Sequence, residues 1–268
     1  MTPRILIVAG SDSGGGAGIQ ADIKAITMFG GHAMTAITAI TAQNTLGVEA
    51  VHALPAALVR RQMACVAADI GVDAVKIGML GDADIVSAVA DELASAAFDV
   101  PVVLDPVMVA TSGAVLADTA TIAAMQRLAR MSMLVTPNLP ELAALCGRGR
   151  LADDDIATAA IDYAARIGTF VLVKGGHAAG AIITDRLFDR GGEVARWQNP
   201  RIDTRHTHGT GCTLASAIAT GLGAGRPLPA AIERAIAFVR VSLEHAPGLG
   251  QGHGPMGQQF ATGFACPA

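Results

Sequence analysis

The amino-acid sequence predicts an α/β fold: one doubly wound, largely parallel sheet flanked by helices, with a small β lid. Short β-rich apolar runs alternate with helical segments along the chain. Nearly every polar or charged residue beside an apolar run falls at its carboxyl end, where ligands sit in such sheets. No linker-like segment or internal repeat interrupts this pattern, so residues 1–250 are expected to form a single domain and 251–268 a loose C-terminal tail.

The elements follow in order. Ile5–Ala9 reads as a buried strand, followed by Gly14-Gly15-Gly16 and Gly18, then by a helix with Ile19, Ile23, Ile26 and Phe29 near a 3.6-residue period. Ala33–Thr41 and Val48–Leu54 read as extended and supply more strand than the main sheet requires, hence the lid. Ala56–Ile70 reads as a helix, Ala74–Ile77 as a strand, Ile85–Ala97 as a helix, and Val102–Leu104 as a strand ending in Asp105-Pro106. Helix Thr121–Ala129, strand Met133–Thr136, helices Pro140–Cys146 and Ile156–Ile167, and strand Phe170–Val173 come next. Ala181–Trp197 has the pattern of a hairpin around Arg190-Gly191-Gly192. Thr213–Leu222 and Ala230–Glu244 are the last helices, and the Gly/Pro-rich stretch after Pro247 reads as the loose end.

Composition excludes several classes. Nineteen basic against twenty-three acidic residues give a net charge of −4 with no long like-charged run, which points away from nucleic acid and anionic membranes. Hydrophobic content is 51%, but much of it is alanine, and apolar runs break well short of the roughly 20 residues of a membrane span. Met1-Thr2-Pro3-Arg4 leads straight into the first strand, leaving no room for a signal peptide. Cys65, Cys146, Cys212 and Cys266 show no CxxC pair, and a reducing cytoplasm is the expected setting.

The most informative stretch is Thr204-Arg205-His206-Thr207-His208-Gly209-Thr210-Gly211-Cys212-Thr213, which opens a helix of small residues. A glycine turn at a helix start aims backbone N–H groups and the positive dipole end at one point, favouring an oxyanion or phosphate. The same field lowers a thiol pKa, so Cys212 is expected to reach the thiolate near neutral pH. The alternative is a tight loop with Cys212 as a small core residue. Other strand-end residues are Gly10 through Gly14, Gln43-Asn44, Gly78-Met79, Asp105, Asn138 with Glu141, and Lys174 through His177. The first loop lacks both the Walker A order and the GxGxxG spacing.

These blocks together resemble the ribokinase-like kinases. Within that superfamily the chain is similar, over nearly its whole length, to the hydroxymethylpyrimidine/phosphomethylpyrimidine kinases of thiamine biosynthesis. The resemblance rests on Ala9-Gly10-Ser11-Asp12 with Gly15 through Lys24, on Thr41-Ala42-Gln43-Asn44-Thr45, and on Lys76-Ile77-Gly78-Met79-Leu80. It continues through Leu104-Asp105-Pro106-Val107-Met108, Thr136-Pro137-Asn138-Leu139-Pro140-Glu141, Val173-Lys174-Gly175-Gly176-His177 and the Cys212 turn. Most sugar kinases of the superfamily carry Asp where Cys212 stands, which narrows the match to the pyrimidine and some pyridoxal kinases.

The resemblance implies ATP and Mg²⁺ as cofactors and phosphoryl transfer to the pyrimidine alcohol and then to its monophosphate. Cys212 matches the catalytic base, and the N–H groups of Gly209, Thr210, Gly211 and Cys212 match the anion hole. Lys174 is placed on the nucleotide phosphates, or is a snorkelling surface lysine. Asp105 and Glu141 suit a magnesium–water shell, with Asn138 in support, or else cap a strand end and a helix. Gln43 reads the ring edge with its paired donor and acceptor. Asp22 lies near the hydroxymethyl, Gly10 in the substrate loop, and Met79 lines the pocket or is plain core. Lids in such relatives mediate dimers, so a homodimer is expected.

Two departures stand out. Gly14 replaces a hydroxyl residue in the first loop, and Thr111 stands where a lysine is common. The alternatives are a pyridoxal kinase, a non-catalytic pyrimidine-binding protein, and a zinc site from His206, His208 and Cys212 that lacks a fourth ligand.

Overall fold

Arg4–Ser11 forms the central strand, β1, in a computed structural model that describes residues 1–108, 118–177 and 180–265. Its side chains alternate between two cores. Leu6 and Val8 point to one face, and Ile5, Ile7 and Ala9 to the other, as the period of two demands of a strand buried on both sides. β2 (His32–Gln43) and β4 (Ala74–Ile77) flank β1 in parallel. β5 (Val102–Leu104), β6 (Leu134–Val135) and β7 (Phe170–Val173) continue the parallel run. β3 (Val48–Ala53) pairs antiparallel with the end of β2, and the hairpin of β8 (Ile182–Asp189) and β9 (Gly192–Pro200) closes the opposite edge. Among the described residues the sheet order is β3-β2-β1-β4-β5-β6-β7-β8-β9. The expected lid is therefore the β2–β3 hairpin, continuous with the main sheet.

Helices cover both faces. α2 (Ala56–Asp69), α3 (Ala83–Leu93), α4 (Thr119–Met131), α5 (Leu139–Leu145) and α6 (Ile156–Ile167) lie over the first core. α1 (Gly18–Met28), α7 (Thr210–Gly223) and α8 (Leu228–Glu244) lie over the second. α7 is buried from Thr213 to Leu222, which explains its small residues: a Cβ on Gly223 would stand 2.8 Å from Ile5 Cδ1. No helix among the described residues is long and apolar enough to cross a membrane.

Three expectations need correction. Ile23 of the α1 stripe is 38% exposed, and the inward face is Ile19, Asp22, Ala25 and Ile26 instead. The helix expected to reach Ala97 ends at Leu93, and a separate 3₁₀ turn spans Ala96–Phe98. Residues after Pro247 are not loose as far as Ala265: Met256, Gln258 and Ala261 are buried, and the Phe264 ring stacks on Phe29 at 5.7 Å. Thr111 and Cys266 lie outside the described residues.

Candidate active site

A cavity of about 800 Å³ opens at the carboxyl ends of the parallel strands. The crossover connections force that placement, because each strand ends where its loop turns toward a helix. Gly10, Gln43 and Met79 line one end, and Asp105, Asn138, Glu141 and Lys174 lie toward the other. Gly209, Thr210, Gly211 and Cys212 also line it, as do Asp185 and Arg201 on the hairpin side. Eleven of the twelve residues singled out in the sequence thus meet at one surface. Asp22 does not.

The Cys212 turn is set by its backbone. Gly209 caps α7 at φ 83°, a left-handed conformation that favours glycine, and a Cβ there would run into the Gly16 carbonyl. Thr210, Gly211 and Cys212 then occupy the first turn, where backbone N–H groups lack helical partners. Of the amides expected to form the anion hole, that of Thr210 donates to the Thr207 carbonyl at 3.3 Å. The expected thiolate is not the favoured form: burial pushes the Cys212 thiol up to about 11, and Asp22 and Asp105 add to it. Lys76 and the Gly18 N–H pull the other way and are outweighed.

Beneath the cysteine lies an ion pair that sequence reading missed. Lys76 Nζ donates to both oxygens of Asp22 at 2.8 Å, and Ser216 Oγ donates to Asp22 Oδ1 at 2.8 Å. Both charged side chains are fully buried, so Asp22 is sealed under the floor rather than placed against a substrate. Lys76 borders the cavity instead. Burial opposes its charge, but Asp22, Cys212 and Asp105 hold it protonated above the usual lysine value. The signal was available: a lysine inside the strand run Ala74–Ile77 is buried, and a buried lysine requires a partner.

At the second end, Lys174 Nζ donates to Asp105 Oδ1 at 2.7 Å and lies 3.6 Å from Glu141 Oε2. A Cβ on Gly211 would sit 3.2 Å from both Asp105 Oδ2 and Lys174 Nζ, so this cluster abuts the anion hole. Lys174 does not snorkel. Burial works against its charge, but the two carboxylates keep it protonated well above the ordinary lysine range. Glu141 serves two ends. It closes a capping box with Asn138, its carboxylate accepting from the Asn138 N–H at 2.7 Å, and it faces Lys174. Burial raises its pKa to about 7, with Lys174 opposing and Asp105 adding. Thr136 Oγ1 donates to Asp105 at 3.0 Å and fixes its rotamer.

The first end is organised by Asp12, which sequence reading placed in the loop without a role. Its carboxylate accepts from the N–H groups of Gly14, Gly16 and Ala17 at 2.8–3.0 Å and pairs with His208 Nε2 at 2.9 Å. Burial would raise the Asp12 pKa, yet His208 and the loop amides hold it below the usual carboxylate value. The side-chain nitrogen of Gln43 lies 3.2 Å from the same His208 nitrogen. Ser13 Oγ donates to the Gln43 carbonyl and accepts from its N–H, both at 2.8 Å. Gly14 therefore keeps its main-chain contact, and the neighbouring serine holds Gln43. Met79 is half-buried on the cavity wall, not plain core. His208 is engaged by Asp12, and among the described residues no group of three His, Cys, Asp or Glu is placed to hold a metal, so the zinc reading has no geometry behind it.

Comparison with known proteins adds a family. The profile described as phosphomethylpyrimidine kinase matches residues 12–257. A hydroxymethylpyrimidine/phosphomethylpyrimidine kinase of Streptomyces coelicolor is 46% identical over 263 residues, covering 97% of this chain and 96% of that protein. A thiamine biosynthesis multifunctional protein of Corynebacterium efficiens is 46% identical over 95% of this chain, which spans only 35% of that protein's length. The solved pyridoxal kinase from Staphylococcus aureus in complex with ADP superposes with a TM-score of 0.87 at 30% identity, over 99% of this chain and 96% of that one.

Proposed function

This chain belongs to the phosphomethylpyrimidine kinase family, and we propose that it transfers the γ-phosphoryl group of ATP to 4-amino-5-hydroxymethyl-2-methylpyrimidine and then to the resulting monophosphate, in thiamine biosynthesis. The observation that carries the reading is the position of Cys212. It stands in the first turn of α7, in the same cavity as the Gly10–Gln43–Met79 wall and the Lys174–Asp105–Glu141 cluster. A hydroxymethyl group on the wall and a nucleotide phosphate on the cluster meet at the α7 N-terminus. In-line transfer needs that arrangement.

The chemistry follows from the residues. The substrate hydroxyl oxygen forms the new P–O bond, the bond to the leaving ADP breaks, and the hydroxyl proton passes to the Cys212 sulfur in its thiolate form, the minor species at neutral pH for a thiol held up to about 11. The amides of Gly209, Gly211 and Cys212 receive the charge on the phosphoryl oxygens. Lys174 stays protonated throughout and serves as a fixed charge on the phosphates. Lys76 stabilises the thiolate from below. Asp105 and Glu141 fit a magnesium ion held through water, since two buried carboxylates beside a phosphate site match its usual ligand count. Magnesium bound there supplies charge neutralisation on the phosphate oxygens. Gln43, whose main chain is held by Ser13, presents its side-chain amide to the pyrimidine edge.

The likeness to the Staphylococcus aureus pyridoxal kinase supports a second reading, phosphorylation of pyridoxal in the same cavity. A substrate panel with ATP–Mg²⁺, read by phosphorylated product, separates the two. Turnover of the pyrimidine alcohol and its monophosphate supports the first reading. Turnover of pyridoxal alone supports the second, and pyrimidine binding without product marks a non-catalytic binder. The exposed apolar residues Ile40, Leu46 and Val51 on the β2–β3 hairpin support a homodimer through that edge. The free cysteines Cys65, Cys146 and Cys212 suit a reducing cytoplasm.

A further inference from the structure

Residues 250–258 touch two chain segments that are remote in sequence and adjoin the cavity. On one side, the His253 N–H donates to the Thr45 carbonyl at 3.0 Å and the Gly252 N–H to Thr45 Oγ1 at 3.3 Å. Thr45 lies two residues beyond Gln43. On the other side, the His208 N–H donates to the Gly254 carbonyl at 3.2 Å, and His208 and Pro255 form a parallel β-bridge. Gln258 Nε2 donates to Thr213 Oγ1 at 3.2 Å, and both residues are fully buried. His208 and Thr213 bracket the Gly209–Cys212 turn. The segment lies flush against both neighbours: a Cβ on Gly252 would collide with the Thr45 carbonyl, and one on Gly254 with the His206 ring. The Gly257 N–H fastens it to the Ser242 carbonyl of α8 at 2.8 Å.

We propose that residues 250–258 form a positioning strap, which fixes the spacing between the Gln43 wall and the α7 N-terminal turn, with Gln258 as its buried anchor. The first turn of a helix has N–H groups without helical partners, and hydrogen bonds on both sides of it suppress local opening. The strap touches neither the pyrimidine wall nor the phosphate cluster directly. It acts through Thr45, His208 and Thr213. The inference rests on the phosphoryl transfer proposed above and extends it to a segment that reads as a loose end.

The test compares wild type with Gln258→Met, which keeps length but loses the amide, with Gly252→Ala, and with Phe264→Ala as a packing control outside the strap. Amide hydrogen exchange is measured first, without any ligand. Gln258→Met is expected to speed exchange at residues 206–213, and Gly252→Ala at residues 43–46, while β7 amides stay at the wild-type rate in both. Phe264→Ala is expected to lower Tm and leave both regions unchanged. In kinetics, a misplaced turn in Gln258→Met lowers kcat roughly ten- to hundredfold with the ATP KM nearly unchanged. Gly252→Ala raises the pyrimidine KM more than it lowers kcat. Wild-type exchange and kcat in Gln258→Met overturn the proposal, as does a kcat loss in Phe264→Ala matching that of Gln258→Met at equal Tm. If Gln258→Met fails to fold, Gly252→Ala decides alone: unchanged exchange at 43–46 and an unchanged pyrimidine KM overturn it. If wild type phosphorylates no pyrimidine, the functional reading falls, and the exchange arm still decides the strap.

Discussion

At Cys212 the Lys76 ammonium and the Gly18 N–H compete with burial and two carboxylates, and burial wins. The thiol, held up to about 11, is less ionised at neutral pH than an ordinary cysteine. If it accepts the hydroxyl proton, kcat/KM, which reports groups of the free enzyme, climbs with pH beyond neutrality toward about 11. Alkylation of the Cys212 peptide, followed by mass spectrometry, should climb in parallel and be blocked by bound substrate. A plateau of both profiles near pH 7 contradicts this. Glu141 gives the opposite limb. With its pKa raised to about 7, it becomes neutral as pH falls through that value, so the Mg²⁺ concentration needed for half-maximal activity rises on acidification. Glu141→Gln should remove that pH dependence and leave a uniformly high Mg²⁺ requirement. Gln43→Leu leaves the pyrimidine's polar edge unpaired, a loss of about 1–3 kcal/mol in pyrimidine affinity. An unaltered pyrimidine KM would take Gln43 out of the site.

The elements show which parts of the molecule were legible. β5 and β7 have the bounds that their apolar runs indicate, because a strand buried on both faces leaves an unbroken hydrophobic signature, and β4 keeps its bounds although Lys76 interrupts its run. α7 was legible from its small residues and glycine turn. The Asp12–His208 pair was not, since its members are 196 positions apart and nothing local links them. The segment after Pro247 failed for the same reason: its partners, Thr45 and His208, are supplied by distant chain, and glycines that allow close approach look in sequence like glycines that allow freedom. Asp22 was misplaced because spacing alone does not show which side of a strand-end floor a carboxylate occupies. The buried pair it forms makes its own prediction. Lys76→Met strands Asp22 without compensation and should cost about 3–5 kcal/mol in denaturant unfolding. Adding Asp22→Asn should recover part of that loss. Additive losses in the double variant contradict the pairing.

For the whole molecule, two cores on either side of one sheet leave the carboxyl edge free to collect residues from seven connections, and the cavity is the result. The β2–β3 hairpin stands at the same sheet's edge with Ile40 51%, Leu46 66% and Val51 46% exposed. Light scattering on eluted protein should give twice the 27.1 kDa chain mass, and Val51→Lys should return it to one. A wild-type mass of 27.1 kDa rules out the dimer. In the proposed reaction Cys212 accepts the proton of the pyrimidine hydroxymethyl group as the phosphoryl group is transferred. The decisive measurement is single-turnover transfer from ATP–Mg²⁺ to the pyrimidine alcohol in Cys212→Ala beside wild type. The expected result is a fall of about 10²–10⁴-fold in the transfer rate with nucleotide Kd unchanged, and partial recovery in Cys212→Asp but little in Cys212→Ser. Near-full transfer by the alanine variant would contradict it, leaving the anion hole to work without a protein base.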